Sequence, residues 1–143
     1  MGEEAMISNL IHEFRVLCER VSKVEDENED GQAIERSYED LLVFLKANES
    51  SRALLSEEIG KIVKSYRHAR DTGRSELSVD ALAYCMHELR WLEVKEAAMS
   101  EHRDYFVGRR EDILWRLMDA FEADWEKASS YARFSAGVDG PSD

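Results

Sequence analysis

The sequence predicts an all-α domain, and three observations predict it. Apolar residues recur at alternating three- and four-residue spacing through most of the chain, the single proline is Pro141, and glycine is sparse. That spacing lines side chains along one face of a helix, and almost nothing between Ala5 and Ala132 would break one. A chain of 143 residues can bury a core as one domain without disulfides or metal. The expected architecture is a single-domain bundle of about five mostly antiparallel helices over 1–134. Residues 135–143, with two glycines, the proline and two aspartates, read as a flexible tail.

The first helix is expected from about Ala5 to Val24, where Ile7, Leu10, Phe14, Leu17, Val21 and Val24 form an apolar stripe. Glu25 to Gly31 is too polar to pack and reads as a loop. A second helix, about 32–47, carries Ile34, Tyr38, Leu41, Leu42 and Leu45 on one side. Asn48 to Ser51 is a short polar break whose serines can cap the next helix. That third helix runs to about Arg70 through Leu55, Ile59, Ile62, Val63 and Tyr66, with Gly73 suited to stop it.

The fourth helix, 78–101, starts at Ser78 as N-cap with Asp80 in its first turn. Val79, Leu82, Met86 and Leu89 share one face with Cys85 and Leu92 at its edge, while Tyr84, His87, Trp91 and Ala98 lie nearly opposite. A helix apolar on two sides is expected at the centre of the bundle. The last helix begins near Val107 or Gly108 and runs to about Arg133, with Leu114, Leu117, Met118, Phe121, Trp125 and Ala128 as its core stripe.

A formal charge of −12 repels phosphates and argues against nucleic acid as a partner; it keeps a domain soluble and steers basic partners towards it. Cys18 and Cys85 fall within apolar helical patterns, as small buried hydrophobes do. The acidic start and the lack of any run approaching about 18 apolar residues lead us to expect no signal peptide, no membrane span and a cytoplasmic setting.

Helical di-iron bundles need Glu-x-x-His pairs, and the residues three before His12, His68, His87 and His102 are Asn9, Ser65, Tyr84 and Met99. His87-Glu88 lacks the second histidine of a zinc-protease helix, which Trp91 replaces. No Gly-x-Ser-x-Gly turn and no phosphate-binding glycine loop is present. Neither metal, cofactor nor catalytic residue is therefore expected.

Two constellations remain. Asp80, Tyr84, His87 and Trp91, with His102 beyond them, line a strip that reads as a polar–aromatic pocket wall or, preferably, as an aromatic packing layer with satisfied hydrogen bonds. Arg90 and Glu93 beside it are expected to pair. On the last helix, Glu111, Asp112, Trp115, Asp119, Glu122 and Glu126 fall within an arc of about 100° to the side of the core stripe. A Trp ringed by carboxylates suits a hot spot for a basic partner, and equally suits a Trp folded onto a neighbouring helix beside a solvated face.

The expected function is a small acidic protein-binding module without enzymatic activity. Its most concrete form is an immunity-type inhibitor that occludes the cationic active site of a cognate toxin. A homodimeric helical scaffold or regulatory subunit is the alternative. An enzyme using His87, Tyr84 and Asp80 is the third and least supported reading.

Overall fold

The computed structural model describes residues 2–27, 30–72, 76–105 and 113–139. Among them the chain forms seven α-helices and two short 3-10 turns, in one all-α domain. The helices are α1 (Gly2–Glu27), α2 (Gly31–Ala47), α3 (Arg52–Thr72), α4 (Val79–Leu89), α5 (Leu92–Tyr105), α6 (Ile113–Asp119) and α7 (Ala132–Asp139); the 3-10 turns are Glu49–Ser51 and Glu126–Ser130. Packing runs from α1 to α2, on to α4, then α6, α5 and α3, so α4 touches helices on both sides.

The first three helices match the apolar periodicity. Phe14, Cys18 and Val21 of α1 are buried with Tyr38, Leu41, Leu42 and Leu45 of α2 and with Leu55, Ile59, Ile62 and Val63 of α3. Asp30 caps α2 by accepting from the Gln32 amide at 3.0 Å. At the other end the Asn48 side chain donates to the Phe44 carbonyl at 2.8 Å, which ends the helix in the polar break. Glu25 to Glu27 form the last turn of α1 rather than a loop. There Glu25 accepts from the hydroxyls of Tyr38 and Ser78, each at 2.6 Å, and ties α1 to α2 and α4.

The long fourth helix expected over 78–101 is two helices. Ser78 caps α4 as expected, its Oγ accepting from the Ala81 amide at 3.1 Å. The helix then stops at Arg90, which adopts the left-handed conformation (φ 52°, ψ 46°) while its amide donates to the Met86 carbonyl at 2.8 Å. Val79 and Ala81 to Met86 are all buried, so α4 holds the central place. Beyond the break α5 turns Val94 and Ala98 inward and leaves Leu92 59% exposed. The expected Arg90–Glu93 pair does not form. Arg90 Nε donates to the His87 carbonyl, and Glu93 takes a two-pronged bond from Arg52.

A left-handed non-glycine residue costs roughly 1–2 kcal/mol, and glycine recovers this less the extra freedom it gives the unfolded chain. Arg90→Gly should therefore stabilise the fold by about 0.5–1 kcal/mol in urea denaturation. Destabilisation would mean that the Arg90 side chain holds the break together.

The last expected helix is also divided. After α6 the amides of Ala120, Phe121 and Glu122 bond three residues back, to Leu117, Met118 and Asp119, so the helix tightens and ends. Phe121 and Trp125 are buried as expected, but from turns rather than from one stripe. Instead of a frayed end from residue 135, the chain is helical through Asp139; residues 140–143 lie outside the described residues. Glu35 of α2 fastens this helix, its two carboxylate oxygens accepting from the amides of Ala132 (2.8 Å) and Arg133 (3.0 Å). Among the described residues no helix is long and apolar enough to cross a membrane.

Candidate partner-binding face

The face formed by α5 and α6 arises because α6 commits its inner side to the core. Leu114, Leu117 and Met118 are buried at spacings of three and four, which turns Trp115 outward and leaves it 43% exposed. On α5, Met99 lies seven residues after Leu92 on the same outward face and is 50% exposed. His102 meets Trp115 ring edge to face with centroids 5.2 Å apart. Between the two helices runs an apolar groove of about 370 Å³ lined by Met99, His102, Trp115 and Met118, with Lys95 and Arg103 on one side and Asp119 and Glu122 on the other.

Asp119 and Glu122 also line a second, larger cleft of about 650 Å³, together with Asp80, Arg116, Asp124, Trp125, Glu126 and Lys127. The two concavities thus share a wall of two carboxylates. In the larger cleft both cations are already engaged: Arg116 and Lys127 donate to the same Asp80 oxygen at 2.5 and 2.9 Å. The carboxylates of Asp119, Glu122, Asp124 and Glu126 have no cation in pairing range among the described residues. On the opposite rim Arg103 is offset by Asp104 at 3.6 Å, and the Lys95 ammonium lies over the Phe121 ring, 5.9 Å from its centroid. The charge left over on this face is negative.

Burial works against the ionised form of Asp80, but the Lys127 hydrogen bond and the Arg116 charge outweigh it and hold the carboxyl below its ordinary range. A depressed folded pKa stabilises the protein above the unfolded aspartate value of about 3.9 and loses that stabilisation as pH falls through the folded value. Asp80→Asn should lower stability at pH 7 and flatten its dependence on pH below about 4. An unchanged acid limb in the variant would remove Asp80 from the account.

The carboxylates expected around Trp115 are gathered only in part, and by a route other than one helix arc. Asp119 and Glu122 share the groove with Trp115, Glu126 lies in the larger cleft, and Glu111 and Asp112 lie outside the described residues. Missed from the sequence were Met99, Lys95 and Asp124. The i, i+7 relation of Met99 to Leu92 was the available signal, and it was hidden by the expectation of a continuous central helix.

The strip on the fourth helix is not one pocket wall. Asp80 lines the larger cleft and His102 the groove beside Trp115, whereas Tyr84, His87 and Trp91 line neither. Tyr84 is fully buried, its hydroxyl donating to Glu35 at 3.0 Å and Glu39 at 3.1 Å, with burial first and these carboxylates second pushing its pKa up. The His87 ring packs between Trp125 and Phe134, and its Nδ1 lies 2.8 Å from the Ala120 carbonyl oxygen. Trp91 is buried under the Arg52 guanidinium, its indole N–H donating to Glu49 at 3.1 Å. These side chains form packing layers with their polar atoms bonded. Both thiols are buried and free; burial pushes Cys18 up to about 12 and Cys85 further, so neither is a nucleophile at neutral pH. No protein-family model, curated protein or solved structure matches this chain.

Proposed function

We propose that this chain is a small binding module that takes a basic protein on the α5–α6 face. One observation carries the reading. An exposed Trp borders an apolar groove whose far wall is made of carboxylates that no cation of the described chain neutralises. Trp is the residue most enriched at binding hot spots, and unpaired acids steer a cationic surface towards it while adding little once bound. The net charge of −12 extends the same attraction over the whole molecule.

In its most concrete form the module is an immunity-type inhibitor: its carboxylates occupy the cationic site a toxin uses for its substrate, and Trp115 fills a neighbouring hollow. Two free thiols suit a cytoplasmic setting. The test is to recover the partner by cross-linking in the source cells and then measure its affinity for the purified chain. Trp115→Ala should weaken the complex by more than about 2 kcal/mol with the fold intact, as hot-spot truncations do. Association should slow as salt rises from about 0.05 to 0.5 M. Unchanged affinity would remove Trp115 from the site, and a flat salt response would remove the acids.

A homodimeric scaffold is the second reading. It is favoured by the exposure of Leu92, Met99 and Trp115 on adjoining helices, an apolar surface that a second copy could cover. Sedimentation at concentrations from micromolar to millimolar decides it, a strict monomer removing it.

A further inference from the structure

The shared carboxylate wall says more about the partner than that it is basic. We infer that the face recognises a two-part element: a bulky apolar side chain seated in the groove beside Trp115, and a guanidinium about one helical turn away that crosses the Asp119–Glu122 wall into the larger cleft. The inference rests on the reading of this face as a partner site and specifies the chemistry that fits it.

The groove alone would accept an apolar side chain of any protein, since Met99, Trp115 and Met118 supply mostly dispersion and area. Methionines also adapt to different shapes, so the groove by itself selects weakly. Selection comes from what lies one carboxylate away. Asp119 and Glu122 belong to both concavities, and beyond them Asp124 and Glu126 are also without a cation. A partner with an apolar anchor and no cation would leave its own surface facing four carboxylates. One with a cation and no anchor would be held by exposed ion pairs, which contribute little.

The wall sets the spacing. Residues three or four apart on a helix stand about 5–6 Å apart at Cβ, which matches a barrier one side chain thick. Arginine fits better than lysine because its planar fork of five N–H donors can bridge several carboxylates at once, and its weaker hydration makes it easier to draw into a cleft. The opposite rim adds a constraint: Lys95 and Arg103 stand on the α5 side, so the cation must approach from the α6 side.

The probes are acetylated, amidated alanine–glutamine peptides of about 18 residues, long enough to be helical. One carries Phe and Arg four positions apart. The others carry Phe alone, Arg alone, Phe with Lys, or Phe and Arg about eleven positions apart, which keeps them on one face but about three turns distant. Binding is followed on the isotope-labelled full chain by the Trp115 indole N–H and the amides of 119–126.

The closely spaced Phe–Arg peptide should bind at least about tenfold tighter than either single peptide and shift both sets of signals. Its advantage from Phe should vanish in Trp115→Ala, and its advantage from Arg in the Asp119→Asn, Glu122→Gln double variant, both of which change exposed side chains. Equal binding by the single or widely spaced peptides overturns the two-part element while leaving a basic-partner site in place. No shift at these positions with any peptide at millimolar concentration also overturns it, and the partner's response to Trp115→Ala then judges the function separately. Equal binding of the lysine peptide overturns the preference for a guanidinium.

Discussion

Trp91→Ala should cost about 3–5 kcal/mol, the range for truncating a large buried aromatic, out of a total stability of roughly 5–15 kcal/mol. At about 2–4 °C per kcal/mol for a domain of this size, the melting temperature should fall by roughly 6–20 °C. Trp91 comes directly after the left-handed Arg90, between α4 and α5, and is 1% exposed. It also reaches Glu49 and lies under Arg52, which opens α3, so its removal loosens three helices at their junction. Trp91→Phe keeps most of the buried area and loses part of the ring and the bond to Glu49, which is half-exposed and able to take up water, so it should cost less. Calorimetry on the two variants checks both values. A loss below about 1 kcal/mol for the alanine variant would mean that the site collapses around the gap.

Glu35→Ala should cost about 1–3 kcal/mol, the range for removing a charged hydrogen-bond acceptor whose donors lose their partner. One carboxylate caps the first two amides of α7 and accepts from the buried Tyr84 hydroxyl. Without it α7 is held by Arg133, which pairs with Glu39 and Glu88, and by Phe134 against Tyr84 and His87. The loss should be local first. Amide exchange over 132–135 should quicken by roughly fivefold or more, the factor that about 1 kcal/mol sets, while exchange in α2 and α4 changes less. Equal acceleration everywhere would show that α7 does not open by itself. Glu35→Gln, which keeps an acceptor oxygen, should fall between.

The helices with a single apolar stripe were legible from spacing, as in Leu41–Leu42–Leu45 or Ile59–Ile62–Val63, because burial on one side leaves a repeat of 3.6. The breaks were not legible. Arg90 carries no glycine or proline signal, and its left-handed turn re-phases the pattern. Tyr84 and Trp91 therefore looked like the second face of one helix, when Tyr84 packs against Tyr38, Tyr131 and Phe134 and Trp91 lies at the start of α3 beside Arg52 and Glu49. Leu92 shows the cost: extrapolated along a straight helix it lies at the core edge, and beyond the break it faces outward.

The end of α6 escaped notice for a related reason. Phe121 and Trp125 keep helical spacing although the backbone between them turns. Of the candidate face, Trp115 and the Asp119–Glu122 pair could be read from α6 itself. Met99 and Lys95 could not, since they join it only through the packing of α5 on α6.

The bond from Glu35 to α7 spans 97 residues of chain. At synthesis rates of about 5–20 residues per second, the Glu35 carboxylate waits roughly 5–20 s between the making of residue 35 and the making of residue 132. Over that interval α1 to α4 can assemble, whereas the layer of Trp125, Tyr131 and Phe134 arrives only at its end, on a surface already formed. Refolding of the whole chain should retain that order, a faster collapse of the early helices and then docking of α7. The second step should weaken with Glu35→Ala while the first keeps its rate.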